Sequence, residues 1–149
     1  MSHGNFMTDF DAFREAMKEA IAFNKSLEMR YRMDASGLYV VKLFDARFLR
    51  EYRLASWRLV QLVGCCGILV STDAQIYPNY RRKGWGKVFN KVRQNQAVLM
   101  GYGQLMCTVD RKNIAQQKIL SDNGWVLRST MTNPKTSNQI DTFTWHCPS

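Results

Sequence analysis

Histidine is nearly absent from this chain of 149 residues: the two copies, His3 and His146, lie close to its ends. The four cysteines form no Cys-x-x-Cys pair, so the ligand spacing of a zinc site is missing and we predict no metal. The adjacent Cys65 and Cys66 lie in an apolar run and are interpreted as small buried residues. We expect all of the cysteines to be reduced, as in a cytoplasmic protein.

Long apolar runs are also missing, which excludes a helical membrane span. Residues 1–13 lack a basic stretch followed by an apolar run, so no secretory signal is expected. Hydrophobic residues make up 46% of the chain and aromatic residues 12%, a composition that excludes a disordered protein. The length suits one domain with its own core, and we predict a single domain over residues 1–149.

The most informative segment covers residues 76–87, where a strand end, a basic glycine turn and a helix start follow one another. Gly84 and Gly86 permit a tight turn and the close approach of a ligand to the backbone. The first turn of a helix has unpaired N–H groups and the positive end of the dipole, which together favour phosphate. Four cations add to this charge: Arg81, Arg82, Lys83 and Lys87. We predict a pyrophosphate site; the alternative is an ordinary pair of turn glycines.

This segment resembles the acetyl-CoA signature of the GNAT (Gcn5-related) N-acetyltransferases, [QR]-x-x-G-x-[GA]. The residues that match its extended form are Pro78, Tyr80, Arg81, Lys83, Gly84 and Gly86. A second segment resembles the second signature of the family, with Asn113, Gly124 and Trp125 in register. Leu120 stands where the family usually has tyrosine. The resemblance covers about residues 60–146.

The resemblance implies an α+β fold, with a mixed, mostly antiparallel central sheet flanked by helices. It also implies acetyl-CoA as the acyl donor. Residues expected to contact that cofactor are Gln75, Ile76, Tyr77, Arg81, Arg82, Lys83, Gly84, Trp85, Gly86, Lys87 and Asn113. Two of them have simpler alternatives: Trp85 as packing between helix and sheet, and Asn113 as the cap of its helix.

The acid and base of such a reaction are not evident, because no histidine lies between residues 4 and 145. Candidate proton donors in place of the missing tyrosine are Tyr77, Tyr80 and Ser121. Tyr77 is the first choice, since it ends the strand expected to carry the thioester and its phenol is protonated at neutral pH. A splayed strand at residues 75–77 would offer a backbone N–H to the developing oxyanion.

Two classes of function stay open. The first is an acetyl-CoA-dependent N-acetyltransferase that acts on a primary amine of a protein, a small molecule or an aminoacyl-tRNA. The second is a non-catalytic protein on a GNAT scaffold, which binds CoA or nucleic acid or assembles into a larger particle, as small GNAT-like phage products do. The sequence does not specify the acceptor or the oligomeric state; a homodimer is one state that the resemblance allows.

The net charge of +9 predicts anionic partners. Acetyl-CoA accounts for part of this charge, and the remainder fits a generally basic surface, an acidic protein, a membrane surface or RNA. Four arginines outside the glycine turn are candidates for an RNA contact: Arg47, Arg50, Arg53 and Arg58.

Local patterns predict the remaining elements. In the first half we predict a helix from Thr8 or Asp9 to Phe23 and a strand over residues 37–44, while residues 46–55 suit either a helix or a strand. Residues 59–71 are expected to form a strand with a bulge or tight turn, followed by a turn at residues 72–73 and a strand over 74–77. The short first strand of the family is not evident.

In the second half we predict a helix over residues 83–101, a strand over 105–109, a helix after Asn113 and a hairpin of strands 125–131 and 139–145.

Overall fold

The computed structural model describes residues 9–18, 27–33, 39–45, 52–62, 64, 67–82 and 84–148. The helices in this part of the chain are α1 (Asp9–Ala16), α2 (Trp85–Leu99) and α3 (Ile114–Asp122), with a short 3₁₀ turn at Pro78–Tyr80. The strands are β1 (Leu27–Met33), β2 (Tyr39–Asp45), β3 (Tyr52–Gln61), β4 (Ile68–Ile76), β5 (Gln104–Asp110), β6 (Val126–Thr132) and β7 (Gln139–His146).

These strands form one sheet in the order β1-β2-β3-β4-β5-β7-β6. Every neighbouring pair is antiparallel except β4 and β5, which are parallel. The predicted α+β fold with a mixed, mostly antiparallel sheet is therefore confirmed.

The parallel pair is short, and this shapes the site. It runs only from Ile68 opposite Gln104 to Ser71 opposite Cys107. Beyond that point β4 continues with β3 and β5 continues with β7. The two central strands therefore part at Ser71 and Cys107, and a V-shaped gap opens between them.

A bulge bends β4 beside this gap. Ser56 of β3 lies opposite Gln75 and Arg58 lies opposite Thr72, so Trp57 alone faces two residues of β4. Such an extra residue disrupts the ladder locally and increases the twist of the strand. The predicted turn at residues 72–73 is wrong, because the polar Thr-Asp pair is part of this bulged strand rather than a connection.

The helices α1 and α2 cover one face of the sheet. Trp57 packs against Phe89 of α2 with ring centroids 5.8 Å apart, and its Nε1 donates to Gln96 Oε1 over 3.1 Å. Phe13 of α1 is fully buried and meets the rings of Tyr31 and Tyr39 edge-on. Each such large side chain contributes about 1.5–3 kcal/mol on burial, so these contacts anchor both helices to the sheet.

The first half of the chain contains most of the errors of prediction. Strand β1 was not predicted, whereas β2 confirms the strand expected over residues 37–44. The described part of α1 ends at Ala16, and residues 19–23 of the predicted helix lie outside the described residues. Residues 52–55 belong to β3, so the helical alternative is wrong there, while residues 46–51 lie outside the described residues.

The expected break within residues 59–71 is a hairpin: β3 ends at Gln61, β4 begins at Ile68, and Leu62 N–H donates to Ile68 O over 3.0 Å. In the second half, α2, β5, α3 and the final hairpin all form at the predicted places.

Cys107 is a buried free thiol and Cys147 a half-buried one, whereas Cys65 and Cys66 lie outside the described residues. No helix in the described part is long and apolar enough to cross a membrane.

Candidate functional site

A cleft of about 880 Å³ fills the gap between β4 and β5. The outer end is lined by the start of α2 at Gly84, Gly86 and Lys87, and α3 forms one side with Gln116 and Ile119. The inner end is lined by Ser71, Arg93 and Cys107. A long ligand with an anionic group at its outer end fits this shape.

The outer end has the geometry of an anion site. Gly84, the N-cap of α2, has φ 83° and ψ 0°, a left-handed conformation that glycine adopts without strain. No side chain among the described residues caps the helix, so its first N–H groups are left for a ligand. Arg81 and Arg82 line this end of the cleft, and Arg81 Nε donates to Ile76 O over 2.8 Å. Its guanidinium is thereby held beside the turn.

Gly86 faces α3 at close range. A Cβ at this position would lie 2.8 Å from Ile119 Cδ1, so any larger residue must displace that side chain. The glycine thus allows α2 and α3 to approach each other at the mouth of the cleft.

A buried cation lies at the inner end. Arg93 on α2 is only 4% exposed, and its Nη1 donates to Ser71 Oγ over 3.3 Å. Its Nε has no hydrogen-bond partner among the described residues. Burial lowers the pKa of Arg93, an effect that the nearby Cys107 partly opposes. Burial raises the pKa of the Cys107 thiol to about 11, although the guanidinium partly counteracts this, so the thiol is neutral at neutral pH.

A second cavity of about 580 Å³ adjoins the cleft at the bulge. The two share Ser56, Trp57, Ala74 and Gln75. Gln75 Nε2 donates to Tyr77 Oη over 3.3 Å and lies 3.5 Å from Ser56 Oγ. These polar groups lie at the junction of the two cavities, where a ligand in one cavity would contact a ligand in the other.

Most residues predicted to contact the cofactor do line the cleft: Gln75, Ile76, Arg81, Arg82, Gly84, Gly86, Lys87 and Asn113. Tyr77 lines the second cavity instead. Trp85 is 5% exposed and stacks on Phe89, so it packs α2 against the sheet. Lys83 lies outside the described residues.

The three predicted proton donors are not brought together. Tyr80 packs against the core and Ser121 is exposed on α3, and neither lines the cleft. Leu120, which stands at the tyrosine position of the second signature that its segment resembles, is fully buried. The backbone N–H of Tyr77 already donates to Leu54 O over 2.9 Å, so it is engaged within the sheet. Tyr77 alone keeps its hydroxyl beside the junction of the two cavities.

Asn113 has the simpler role as well. Its Oδ1 accepts from Gln116 N–H over 3.2 Å, which caps α3 while the residue lines the cleft.

Arg93 was not singled out from the sequence, because its charge falls within a helix whose buried face is set only by packing. Its one sequence signal is a position directly after the buried Val92, on the side of α2 that meets the sheet.

A carboxylate at the base of α3 fixes this wall of the cleft. Asp141 of β7 accepts hydrogen bonds from Arg111, Thr130 and Gln117 at 2.9, 2.7 and 2.8 Å. Through these groups it connects β6, β7 and α3. The hydrogen bonds from Arg111, Thr130 and Gln117 hold the pKa of Asp141 well below its usual range, so it is ionised at neutral pH.

No protein-family model and no curated protein matches this chain in sequence. Solved structures do match in fold. The spermidine/spermine N-acetyltransferase SpeG from Vibrio cholerae superposes with a TM-score of 0.67 at 10% identity, covering 83% of this chain and 94% of that one. A GNAT family acetyltransferase from Elizabethkingia anophelis, solved with acetyl-CoA bound, also gives 0.67, at 7% identity over 83% and 99%.

A nourseothricin acetyltransferase gives a TM-score of 0.62 at 14% identity, over 83% of this chain and 85% of that one. These likenesses extend over most of each chain, and all three structures are acetyltransferases. At such low identity the similarity lies in the path of the backbone. The chain has the fold of the GNAT superfamily of acetyltransferases.

Proposed function

We propose that this protein is a single-domain, acetyl-CoA-dependent N-acetyltransferase that transfers the acetyl group to a primary amine. One observation carries the proposal: the glycine start of α2, which no described side chain caps, opens directly into a cleft between the parted strands β4 and β5. A phosphate site joined to a long, partly apolar channel suits a pyrophosphate with an extended acyl-carrying arm.

The pyrophosphate would lie on the first N–H groups of α2, with Arg81, Arg82 and Lys87 around it. The arm would then follow β4 inward, past Gln75 toward Ser71. From Thr72 onward β4 has no strand partner on the side of β5 in the described part of the chain. Its backbone groups on that edge can pair with the amides of the arm, as an added strand would.

The reaction at the bulge requires that the two reactants be held in place and that protons be transferred. The amine nitrogen attacks the thioester carbonyl, a C–N bond forms, and the C–S bond breaks with its electron pair moving to sulfur. Holding the reactants in place supplies up to about 7–11 kcal/mol of the barrier. The ammonium must lose a proton, and the thiolate must gain one. Tyr77 is our candidate donor, and the buried guanidinium of Arg93 would favour negative charge at the inner end of the cleft.

The non-catalytic alternative keeps one specific observation in its favour. Leu120 is fully buried where the family has its tyrosine, and an apolar side chain donates no proton. On this alternative the cleft binds CoA without turnover. An RNA partner would use Arg58, which is exposed on β3; Arg47, Arg50 and the side chain of Arg53 lie outside the described residues.

A thiol-release assay separates the two functions. The protein is incubated with acetyl-CoA and a panel of amines, and free CoA is measured over time. Amine-dependent release above the rate of acetyl-CoA hydrolysis supports the transferase. Tight acetyl-CoA binding by calorimetry with no release on any amine supports the non-catalytic protein instead.

A further inference from the structure

The second cavity has a distinct charge, set by three neighbouring strands. We call it the basic groove and define it by Arg32 on β1, Lys42 on β2, Arg58 on β3 and Tyr77 after β4. The register places Arg32 opposite Val40, and Val40 opposite Arg58. Lys42 lies two residues along β2 from Val40, so its side chain is on the same face. The cations therefore point into one groove rather than to both sides of the sheet.

Among the described residues, no carboxylate balances this charge within the groove. None of the described residues that line it is acidic. Arg30, which lies on the same face of β1 as Arg32, forms an ion pair with Glu28, with its Nε 3.1 Å from Glu28 Oε1. Arg32 and Lys42 have no ion pair among the described residues. Arg58 makes additional contacts, so the uncompensated charge belongs to Arg32 and Lys42.

Two cations facing one cavity attract an anion and repel a cation. A guanidinium offers paired N–H donors to a carboxylate or phosphate, and an ammonium adds a point charge beside it. A polyamine in this groove would instead place like charges together. The charge of the groove thus restricts the acceptor more strongly than its volume of about 580 Å³ does.

The basic groove also adjoins the cofactor cleft, where the proposed reaction needs its acceptor amine. Its wall at Ser56, Trp57, Ala74 and Gln75 is shared with the cofactor cleft. An amine that reaches this wall from the groove would meet the cofactor arm at the bulge. We infer that the basic groove is the acceptor site and that it takes a small amine that also carries a carboxylate or a phosphate group. This inference rests on the proposed acetyltransferase function.

In the resulting complex the anionic group of the acceptor binds Arg32 and Lys42, and its amine points to Gln75 and Tyr77. The amine nitrogen then forms the new C–N bond, and the thioester sulfur leaves with the electron pair of the broken C–S bond. The anionic anchor does not react. It lowers the dissociation constant of the correct acceptor and raises that of a cationic one.

The test uses two pairs of probes that differ by one anionic group. Lysine is compared with cadaverine, which lacks only the carboxylate, and phosphoethanolamine with ethanolamine, which lacks the phosphate. Each is titrated by calorimetry into the protein saturated with CoA. We expect one anionic member, or both, to bind at least about tenfold more tightly than its partner. The two pairs distinguish a carboxylate from a phosphate.

Matched variants assign the preference to the groove. The double variant Arg32→Gln/Lys42→Gln should lose the preference, whereas Lys135→Gln, an exposed cation in the β6–β7 turn, should keep it. The preference should also shrink as salt is raised, because the pairs are partly exposed. Circular dichroism of each variant confirms that the fold is intact.

Several outcomes overturn the inference: no selectivity, no binding of either pair, or preference for cadaverine or ethanolamine. Binding of a short single-stranded RNA that depends on Arg32 and Lys42, without binding of the small anions, assigns the groove to nucleic acid and also overturns it. Failure of the proposed function shows separately, as absence of CoA binding. The selectivity of the groove is then measured on the protein alone.

Discussion

Arg93 Nη1 donates a hydrogen bond to Ser71 Oγ over 3.3 Å, at the last paired position of β4 before it parts from β5. Arg93 is 4% exposed, and its Nε has no hydrogen-bond partner in the described part of the protein. A buried charge without a carboxylate destabilises a fold unless something else compensates for it. On the proposed function, the acyl-carrying arm at the inner end of the cleft would supply this compensation.

Replacing Arg93 by methionine should separate stability from function. The Arg93→Met change keeps an unbranched apolar stem and removes the buried charge, so the urea midpoint should stay the same or rise. Turnover, or acetyl-CoA affinity if there is no turnover, should fall about tenfold or more because the cleft loses its inner cation. Urea unfolding and thiol release measure the two effects on the same preparation.

Ser71→Ala provides the contrasting variant. It leaves the buried guanidinium with one hydrogen bond fewer, so the free energy of unfolding should drop by about 1–3 kcal/mol. An Arg93→Met protein that is clearly less stable than the wild type but equally active would show that Arg93 is a structural residue.

The accuracy of the sequence-based expectations differs along the chain for physical reasons. From Ile68 onward, glycines and short polar turns separate the elements, and all of the elements from α2 onward were predicted. Strand β1 was missed because Glu28, Arg30 and Arg32 occupy its outer face and mask the apolar alternation of the inner one. Strongly charged outer faces weaken a strand pattern even where the register is regular.

The two ends of the cleft were not equally predictable. The anion site follows from local chemistry, since glycines and cations adjacent in sequence form it. Arg93 and the basic groove depend on the pairing of distant strands. Arg32, Lys42 and Arg58 are far apart in sequence, and only the order of β1, β2 and β3 brings them to one cavity.

The Gly86→Glu variant tests the anion site. It places a carboxylate where the pyrophosphate is expected and displaces Ile119, so acetyl-CoA should no longer stabilise the protein. In the wild type, acetyl-CoA at about 100 times its dissociation constant should add roughly 2.7 kcal/mol to the free energy of unfolding. Thermal unfolding with and without the ligand measures the difference.

Gly86→Ala is the matched control. Its Cβ contacts only the flexible end of Ile119, and alanine is accepted at this place in the signature that the segment resembles. The stabilisation by acetyl-CoA should therefore be largely retained. An undiminished stabilisation in Gly86→Glu would rule out the start of α2 as the phosphate site.

The carboxylate of Asp141 should make the stability of the protein depend on pH. Its pKa is lowered in the fold, so its contribution is present above about pH 4, the usual pKa of an aspartate in an unfolded chain. The contribution is lost as the pH falls from there toward the lowered pKa. Asp141→Asn should thus be less stable than the wild type at pH 7, and the gap should narrow below pH 4.

Urea midpoints measured from about pH 7 down to about pH 3 follow this gap. Asp122→Asn, a change at an exposed acid on α3, is the matched control. A gap that is constant over the whole range would mean that the ionised form of Asp141 is not what the hydrogen bonds stabilise.

Tyr77→Phe tests the proton donor with the smallest possible change. Tyr77 Oη accepts from Gln75 Nε2 at the junction of the cleft and the basic groove, and phenylalanine retains the ring while removing this hydroxyl. If the phenol protonates the departing thiolate, turnover should fall about 10²-fold while the affinity for acetyl-CoA stays nearly the same. This pattern belongs to a group that acts mainly in the transition state, whereas a packing role would change binding and stability together.

A thiol-release assay measures turnover, and calorimetry measures acetyl-CoA binding. Tyr80→Phe is the control, because Tyr80 packs against the core outside both cavities. Wild-type turnover in Tyr77→Phe would exclude the hydroxyl from the chemistry.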